Sequence, residues 1–357
     1  MRDAFGSAAL TLLLAATQAQ EVSAIQDQIN PLESTTAFQL LTLERSVRQL
    51  PPDAEDLFRA AIEDATAAAL RINRHPKTKD EAKAVLGAIQ LALVKHNFLQ
   101  PPEEKDWPQT LGMAFVPRTF TPEALEIILA TGSNHRRAEY IDRDKPMYFV
   151  DCDMGSQLFL AVGERLAWDI RLVEVPRHNF VRWHLSEATR VNWDWVSWES
   201  EDDTSYRFRI PSQDDPRLRS LYLRSLESRE ARAYYLGLIG SEALLPADGE
   251  RLLKEALEVL PNHPLTLNNL AWLYATTPEF SRQHSGLAVS YSLAALSTRP
   301  YDGNYADTVA CAFAADYQTS LAEKMEEFAM DHATSPSQRE GFGANRALIY
   351  QGKLCNP

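Results

Sequence analysis

The chain has 357 residues, 45% of them apolar and 24% charged. These are ordinary globular proportions, which exclude a disordered or collagen-like chain and leave room for two to three domains. The balance of 36 basic against 49 acidic residues, net −13, argues against a phosphate-backbone binder, which needs a basic stripe to displace counterions. Three cysteines, Cys152, Cys311 and Cys355, are too few for a disulfide scaffold, and an odd count leaves at least one thiol unpaired.

Arg2 precedes an uncharged small-and-apolar run over residues 6–16, followed by Thr17-Gln18-Ala19. This is the layout of a secretory signal peptide over 1–19, with an apolar core inside the usual ~7–15 residues and a small-x-small cleavage site. Acidic Asp3 is out of character in such a leader. The run is too short for a membrane-spanning helix, which takes ~20 apolar residues, and no later segment approaches that length. The expected location is secreted or periplasmic if the leader is cleaved, and cytoplasmic otherwise.

Residues 20–50 read as a polar linker with a weak helix over 37–50 that ends at Pro51-Pro52. Apolar residues at helical spacing (Leu57, Ala60, Ala61, Ala65, Ala68, Ala69) predict a helix over 53–74, begun by Asp53, Glu55 and Asp56 at its positive end. A second helix fits 78–97, with Ala82, Val85, Leu86, Ile89, Ala92 and Leu93 on one side, and is broken by Pro101-Pro102. A third fits 122–130, with Gly132 as its stop.

The informative stretch runs from 148 to about 211. Tyr148-Phe149-Val150 leads into Asp151-Cys152-Asp153, after which Leu158, Val162 and Leu166 recur at helical spacing, so Cys152 sits at a helix start. Two strand-like runs follow at 170–175 and 180–183, separated by Pro176-Arg177-His178. Val191-Asn192-Trp193-Asp194-Trp195-Val196 alternates as a half-buried strand does. His178 therefore enters one strand and Asp194 lies on the next. A thiol attacks at neutral pH only when its proton is drawn off, and a helix N-terminus and an imidazole both assist. A carboxylate beyond the imidazole fixes its tautomer and stabilises its cation. Asp151 and Asp153 oppose that activation by flanking the thiol with negative charge.

Cysteine opening a helix, P-x-H-x-F-V-R about 26 residues on and N-W-D in the next strand resemble the transglutaminase-like superfamily. The likeness is to its microbial branch, which carries helices before a papain-like core and tetratricopeptide repeats after it. It covers roughly residues 78–210 and implies Cys152 as nucleophile, His178 as general base and acid, and Asp194 as the group orienting the imidazole. It also implies a transglutaminase-like domain over 51–215. Trp183, Trp193, Trp195 and Trp198 are read as mostly core, with one or two lining a substrate groove. Arg182 shares a strand face with His178 and is read as a surface ion pair, a substrate carboxylate being the alternative.

Residues 226–351 resemble tetratricopeptide repeats, 34-residue helix–turn–helix units with small residues where the two helices meet. Leu236-Gly237, Ala256 and Pro261 fit one unit. Leu270-Ala271, Tyr274, Ala288, Ala295 and Pro300 fit a second, and Val309-Ala310, Phe313, Ala322 and Ala329 a third. Ala256, Ala295 and Ala329 stand 39 and 34 residues apart, so the second unit carries about five extra residues, placed in an exposed loop over 276–286. Residues 338–351 supply a capping helix. Cys311 falls among alanines and reads as packing; Cys355, near the end of the sequence, reads as mobile. A bridge between the two is conceivable in an oxidising compartment.

The expected architecture is α+β: a papain/transglutaminase-like core with a helical amino-terminal part, then an all-α repeat region. No phosphate loop, dinucleotide fingerprint, zinc-protease or serine-hydrolase motif occurs. The residues Asp151, Cys152, Asp153 and His178 match no zinc spacing, and 199–203 reads as a solvated acidic loop. No cofactor and no metal are therefore expected. The expected partner is a protein or peptide on the repeats, with no nucleic acid and no transmembrane segment. Two functions fit: a thiol acyl-transfer enzyme, hydrolase or transglutaminase in type, acting on peptide or amide carbonyls, or a non-catalytic scaffold that binds through its repeats. An assembly factor for an envelope complex differs from the scaffold only in its partner.

Overall fold

The computed structural model describes residues 29–103, 106–212 and 214–356; the leader expected at 1–19 lies outside the described residues. The fold is α+β, mostly helical, with few strands and a long run of helices in its carboxy-terminal part. Among the described residues no helix is long and apolar enough to cross a membrane.

Helices α1 (Thr36–Val47), α2 (Ala54–Ile72) and α3 (Lys79–Val94) form the amino-terminal part. Thr35 caps α1 by accepting the Phe38 N–H at 3.3 Å, and Thr78 with Glu81 closes a reciprocal capping box on α3, which satisfies N–H groups that have no partner inside the helix. Two boundaries differ from the sequence reading. Helix α1 stops at Val47 rather than near 50, because Arg48 is extended and the Val47 carbonyl accepts the Leu244 N–H at 3.1 Å. Helix α3 stops at Val94, because Asn97 turns into the left-handed region with φ 62°. That turn delivers β1 (Phe98–Leu99), which pairs in parallel with β2 (Tyr148–Phe149). Between them lie α4 (Leu111–Ala114) and α5 (Pro122–Ala130), and Gly132, with φ 55°, turns the chain just beyond α5.

Strand β2 runs into α6 (Cys152–Arg165), which packs on an antiparallel sheet of β3 (Ile170–Val175), β4 (His178–His184) and β5 (Arg190–Trp193), in that order. Val175 pairs with His178 across a two-residue turn, Pro176-Arg177, in which Arg177 has φ 59°. Leu172, Val181, Trp183, Val191 and Trp193 join Leu158, Phe159 and Val162 of α6 in the main core. Val173, Val175, Phe180 and Tyr206 form a separate cluster.

After α7 (Pro216–Leu221) come α8 (Ser228–Ser241), α9 (Pro246–Val259), α10 (Pro264–Thr276), α11 (Pro278–Thr298), α12 (Gly303–Ala315), α13 (Thr319–Asp331) and α14 (Pro336–Tyr350). Each packs on the next in sequence, and α8, α10, α12 and α14 also meet in a row. Small residues make this close stacking possible. Ala256, Ala271, Ala295, Ala310, Ala322 and Ala329 are fully buried, and a Cβ on Gly237 of α8 would come within 2.6 Å of Thr266 Oγ1 on α10.

Two expectations for this region are corrected. The extra residues near 276–286 do not form a loop: Pro278 opens α11 and the insertion becomes additional turns of a 21-residue helix. Proline has no N–H to waste at a first helical position, and Phe280 and His284 then pack on the ring of Tyr274. Cys355 is buried and bonded to Cys311, so the tail is fixed on α12.

Candidate active site

Cys152 is the first residue of α6, and Asp151 caps that helix by accepting the Met154 N–H at 3.1 Å. A Cβ at Gly155 would meet Trp195 Cγ at 2.2 Å, so the first turn of α6 lies directly on that ring. The ring is fixed in turn: Trp195 Nε1 donates to the Val150 carbonyl at 2.8 Å, and the Trp195 carbonyl accepts from Gln90 at 2.9 Å and Arg137 at 2.6 Å. The stretch that carries Asp194 is thereby held against the helix that carries the thiol.

His178 begins β4, and Asp194 follows the end of β5. His178 Nε2 donates to Asp194 Oδ2 at 2.6 Å, both side chains being almost fully buried. A carboxylate only accepts, so Nε2 carries the proton and Nδ1 of the neutral ring is the basic nitrogen. Asp194 also accepts from the Val196 N–H at 2.8 Å and from the Tyr206 hydroxyl at 3.1 Å. Burial opposes ionisation of Asp194, but the hydrogen bond and charge of His178 and the Val196 N–H outweigh it and hold the carboxyl below its ordinary value. Arg137, fully buried, lies over the Trp195 ring at 5.1 Å and adds favourable charge near Asp194. Burial lowers the Arg137 guanidinium itself to about 9.

Cys152 and His178 line one cleft of about 300 Å³. The thiol there is pushed well up, first by burial and then by the charges of Asp153 and Asp151, while the Asn179 backbone N–H works the other way. Asp153 does not turn out to solvent. It accepts from the Tyr234 hydroxyl and from Asn179 Nδ2, and its backbone carbonyl accepts from the Tyr235 hydroxyl at 3.0 Å. Burial also raises the carboxyls of Asp151 and Asp153 above their ordinary values, and a thiolate at Cys152 would add a further negative charge beside them.

The cleft has walls from distant parts of the chain. Glu174 and His178 come from the β3–β4 hairpin, Tyr234 from α8, Asn268 and Asn269 from α10, and Asn304 and Tyr305 from α12. His263, at the start of α10, bonds Glu174 at 2.9 Å and ties the hairpin to the helical array. A larger hollow of about 440 Å³ lies on the other side of that pair, next to Arg217 and Arg224. It includes neither Cys152 nor His178, so the smaller cleft is the one with reactive groups.

Three sequence readings change here. Arg182 is buried, not a surface ion pair: it bonds Asn192 at 2.8 Å and pairs with Asp203. Asp203 correspondingly leaves the solvated-loop reading of 199–203, because it serves Arg182, Arg190 and Asn192 together. The tryptophan at the cleft is Trp107, and none of Trp183, Trp193, Trp195 and Trp198 lines it. The sequence reading also passed over Tyr234, Tyr235, Asn179, Tyr206 and Arg137. They stand at no regular spacing from Cys152, and only Asn179, inside the P-x-H-x-F-V-R run, had a local signal. Comparison of the chain with known protein families, with curated proteins and with solved structures found no match.

Proposed function

We propose that the protein is a thiol acyl-transfer enzyme of transglutaminase-like type with tetratricopeptide repeats, acting on peptide or amide carbonyls. The observation that carries this reading is the bond to buried Asp194 from His178, which lines the same cleft as Cys152. With Nε2 committed to Asp194, Nδ1 takes the Cys152 proton as sulfur adds to the carbonyl carbon, and Asp194 stabilises the imidazolium. The tetrahedral intermediate collapses as His178 returns that proton to the departing amine, leaving an acyl-cysteine. Water or an amine then attacks the acyl-cysteine, His178 again acting as base, and the thiol is restored. The raised thiol supports proton transfer during attack rather than a thiolate standing at rest.

The same raised thiol favours a second reading, a scaffold without turnover whose repeats bind a protein or peptide. The two readings separate in an acylation experiment with an N-acyl dipeptide p-nitrophenyl ester, followed by peptide mass spectrometry of residue 152. The enzyme reading expects acylation at Cys152 that falls about 100-fold or more in His178→Ala, the usual worth of a positioned general base. Equal labelling of wild type and His178→Ala, or none in either, leaves the scaffold.

A further inference from the structure

Farther along α12 from the cleft residues Asn304 and Tyr305, two carboxyl groups face each other inside the last helices. Asp307 of α12 is 7% exposed and Glu326 of α13 is 0% exposed. Asp307 accepts from Asn345 Nδ2 of α14 at 3.0 Å, whereas neither Glu326 oxygen receives a hydrogen bond from a neighbouring donor. Two carboxyl groups buried together cannot both carry charge without a compensating cation. Burial raises Asp307 to about 6 and Glu326 to about 10, so a pair of charged carboxylates is disfavoured here unless a cation joins them.

Cys311 stands one helical turn after Asp307. Its Sγ, an Asp307 oxygen and a Glu326 oxygen all lie within 4.8 Å of one another. While Cys311 is bonded to Cys355 its sulfur carries no charge. We propose that when a dithiol reductant opens this bond, Cys311, Asp307 and Glu326 become a binding site for a divalent transition cation, zinc above all. The dithiol passes two electrons to the disulfide and becomes a cyclic disulfide, while Cys311 and Cys355 leave as thiols. The cation then displaces the Cys311 thiol proton and any carboxyl proton, which pass to solvent. One sulfur and two oxygens suit zinc, whose bonds of ~2.3 Å to sulfur and ~2.0–2.2 Å to oxygen set ligand atoms ~3.5 Å apart. Side-chain rotation covers the difference, and a water or the freed Cys355 completes four ligands.

The consequence is structural. The disulfide pins the tail to α12, whereas the cation would join α12 to α13, with Asn345 of α14 bonded to one of its ligands. The last helices would thus be fastened in either redox state.

The full-length chain tests this in a Cys152→Ser background, so that no signal arises from the other thiol. Cobalt(II) and zinc(II) are titrated into three samples: the oxidised protein, the protein reduced with a phosphine, and a Cys355→Ser variant in which Cys311 is a thiol without any reductant. The expected result is one equivalent of metal in the last two, with a thiolate-to-cobalt charge-transfer band and a higher Tm with zinc. Adding Glu326→Gln should weaken binding at least tenfold and leave the circular dichroism of the metal-free form unchanged. The proposal is overturned if the oxidised protein binds equally, if no charge-transfer band forms on reduction, or if Glu326→Gln binds as well as its parent. Should Cys355→Ser fail to fold, the phosphine-reduced sample decides alone.

Discussion

The charges beside Cys152 make a prediction that separates the forces acting on the thiol. Asp153→Asn removes one negative charge next to the sulfur while keeping an oxygen where Tyr234 and Asn179 donate, since both hydrogen bonds go to Asp153 Oδ1. Two unit charges ~6 Å apart at an effective dielectric of ~20 repel by about 3 kcal/mol, which is ~100-fold in thiolate population. Burial raises the carboxyls of Asp153 and Asp151, which makes this figure an upper bound on the charge effect. The expected gain is therefore about 10- to 100-fold in the rate of iodoacetamide alkylation of Cys152 near pH 7. The assay is alkylation against pH, read on the peptide that contains residue 152. Cys311 and Cys355 are bonded to each other, so they do not compete for the reagent. Burial remains in the variant, and the thiol should still titrate above the ~8.5 of a free cysteine. A rate that stays the same or falls in Asp153→Asn, with circular dichroism unchanged, would refute the electrostatic account of this site.

Two further predictions concern the residues that hold the site. Asp194→Asn should lower acyl transfer about 10³- to 10⁴-fold, because an amide cannot stabilise the imidazolium or fix the same tautomer; a loss under tenfold argues against a His178–Asp194 pair at work. The same variant has a stability signature. The carboxyl of Asp194 is depressed in the folded chain, so its contribution is present above the unfolded value of ~3.9 and is lost as pH falls through the lower folded value. Urea midpoints should then show wild type losing its advantage over Asp194→Asn only below about pH 4, and an advantage that instead vanishes near neutrality contradicts the depressed carboxyl. Gly155→Ala places a Cβ 2.2 Å from Trp195 Cγ, and such overpacking costs about 1–3 kcal/mol. The urea midpoint should fall accordingly, and an unchanged midpoint would show that Trp195 does not press on α6.

How much of this was readable in the sequence depends on how local each cause is. The start of α6 at Cys152 was visible from the apolar helical repeat that follows it, β4 from a strand-like run over 180–183 and β5 from the alternation at 191–196. Strand β4 nevertheless begins already at His178 and β5 ends at Trp193, so that Asp194 lies just beyond the strand it was expected on. The helix over 122–130 coincides with α5, since Thr121, Pro122 and Gly132 mark its ends unambiguously. The misread places have competing local meanings. Proline both breaks and begins helices, so Pro278 looked like loop chemistry until Phe280 and His284 found Tyr274. An acidic run looks solvated until a buried arginine claims one member, as Arg182 claims Asp203. Cys355 looked mobile because its partner lies 44 residues earlier, beyond any pattern in its own neighbourhood.

The support of the candidate site is the least local part of the structure. Tyr234 and Tyr235 reach Asp153 from 81 and 82 residues downstream. His263 reaches Glu174 across 89 residues. These contacts fall on both sides of the cleft: one set grips the first turn of the helix that carries Cys152, the other grips the hairpin that delivers His178. The helical array is therefore more than an appendage beside the sheet. A shift of α8 relative to α10 would move Asp153 and Glu174 by different amounts, and with them the separation of thiol and imidazole, which a reacting carbonyl must bridge to within about 3–3.5 Å. The position of the array and the geometry around Cys152 are in this way linked through packed contacts. The wall residues Asn268, Asn269 and Asn304 are where an occupant of the cleft would touch both at once.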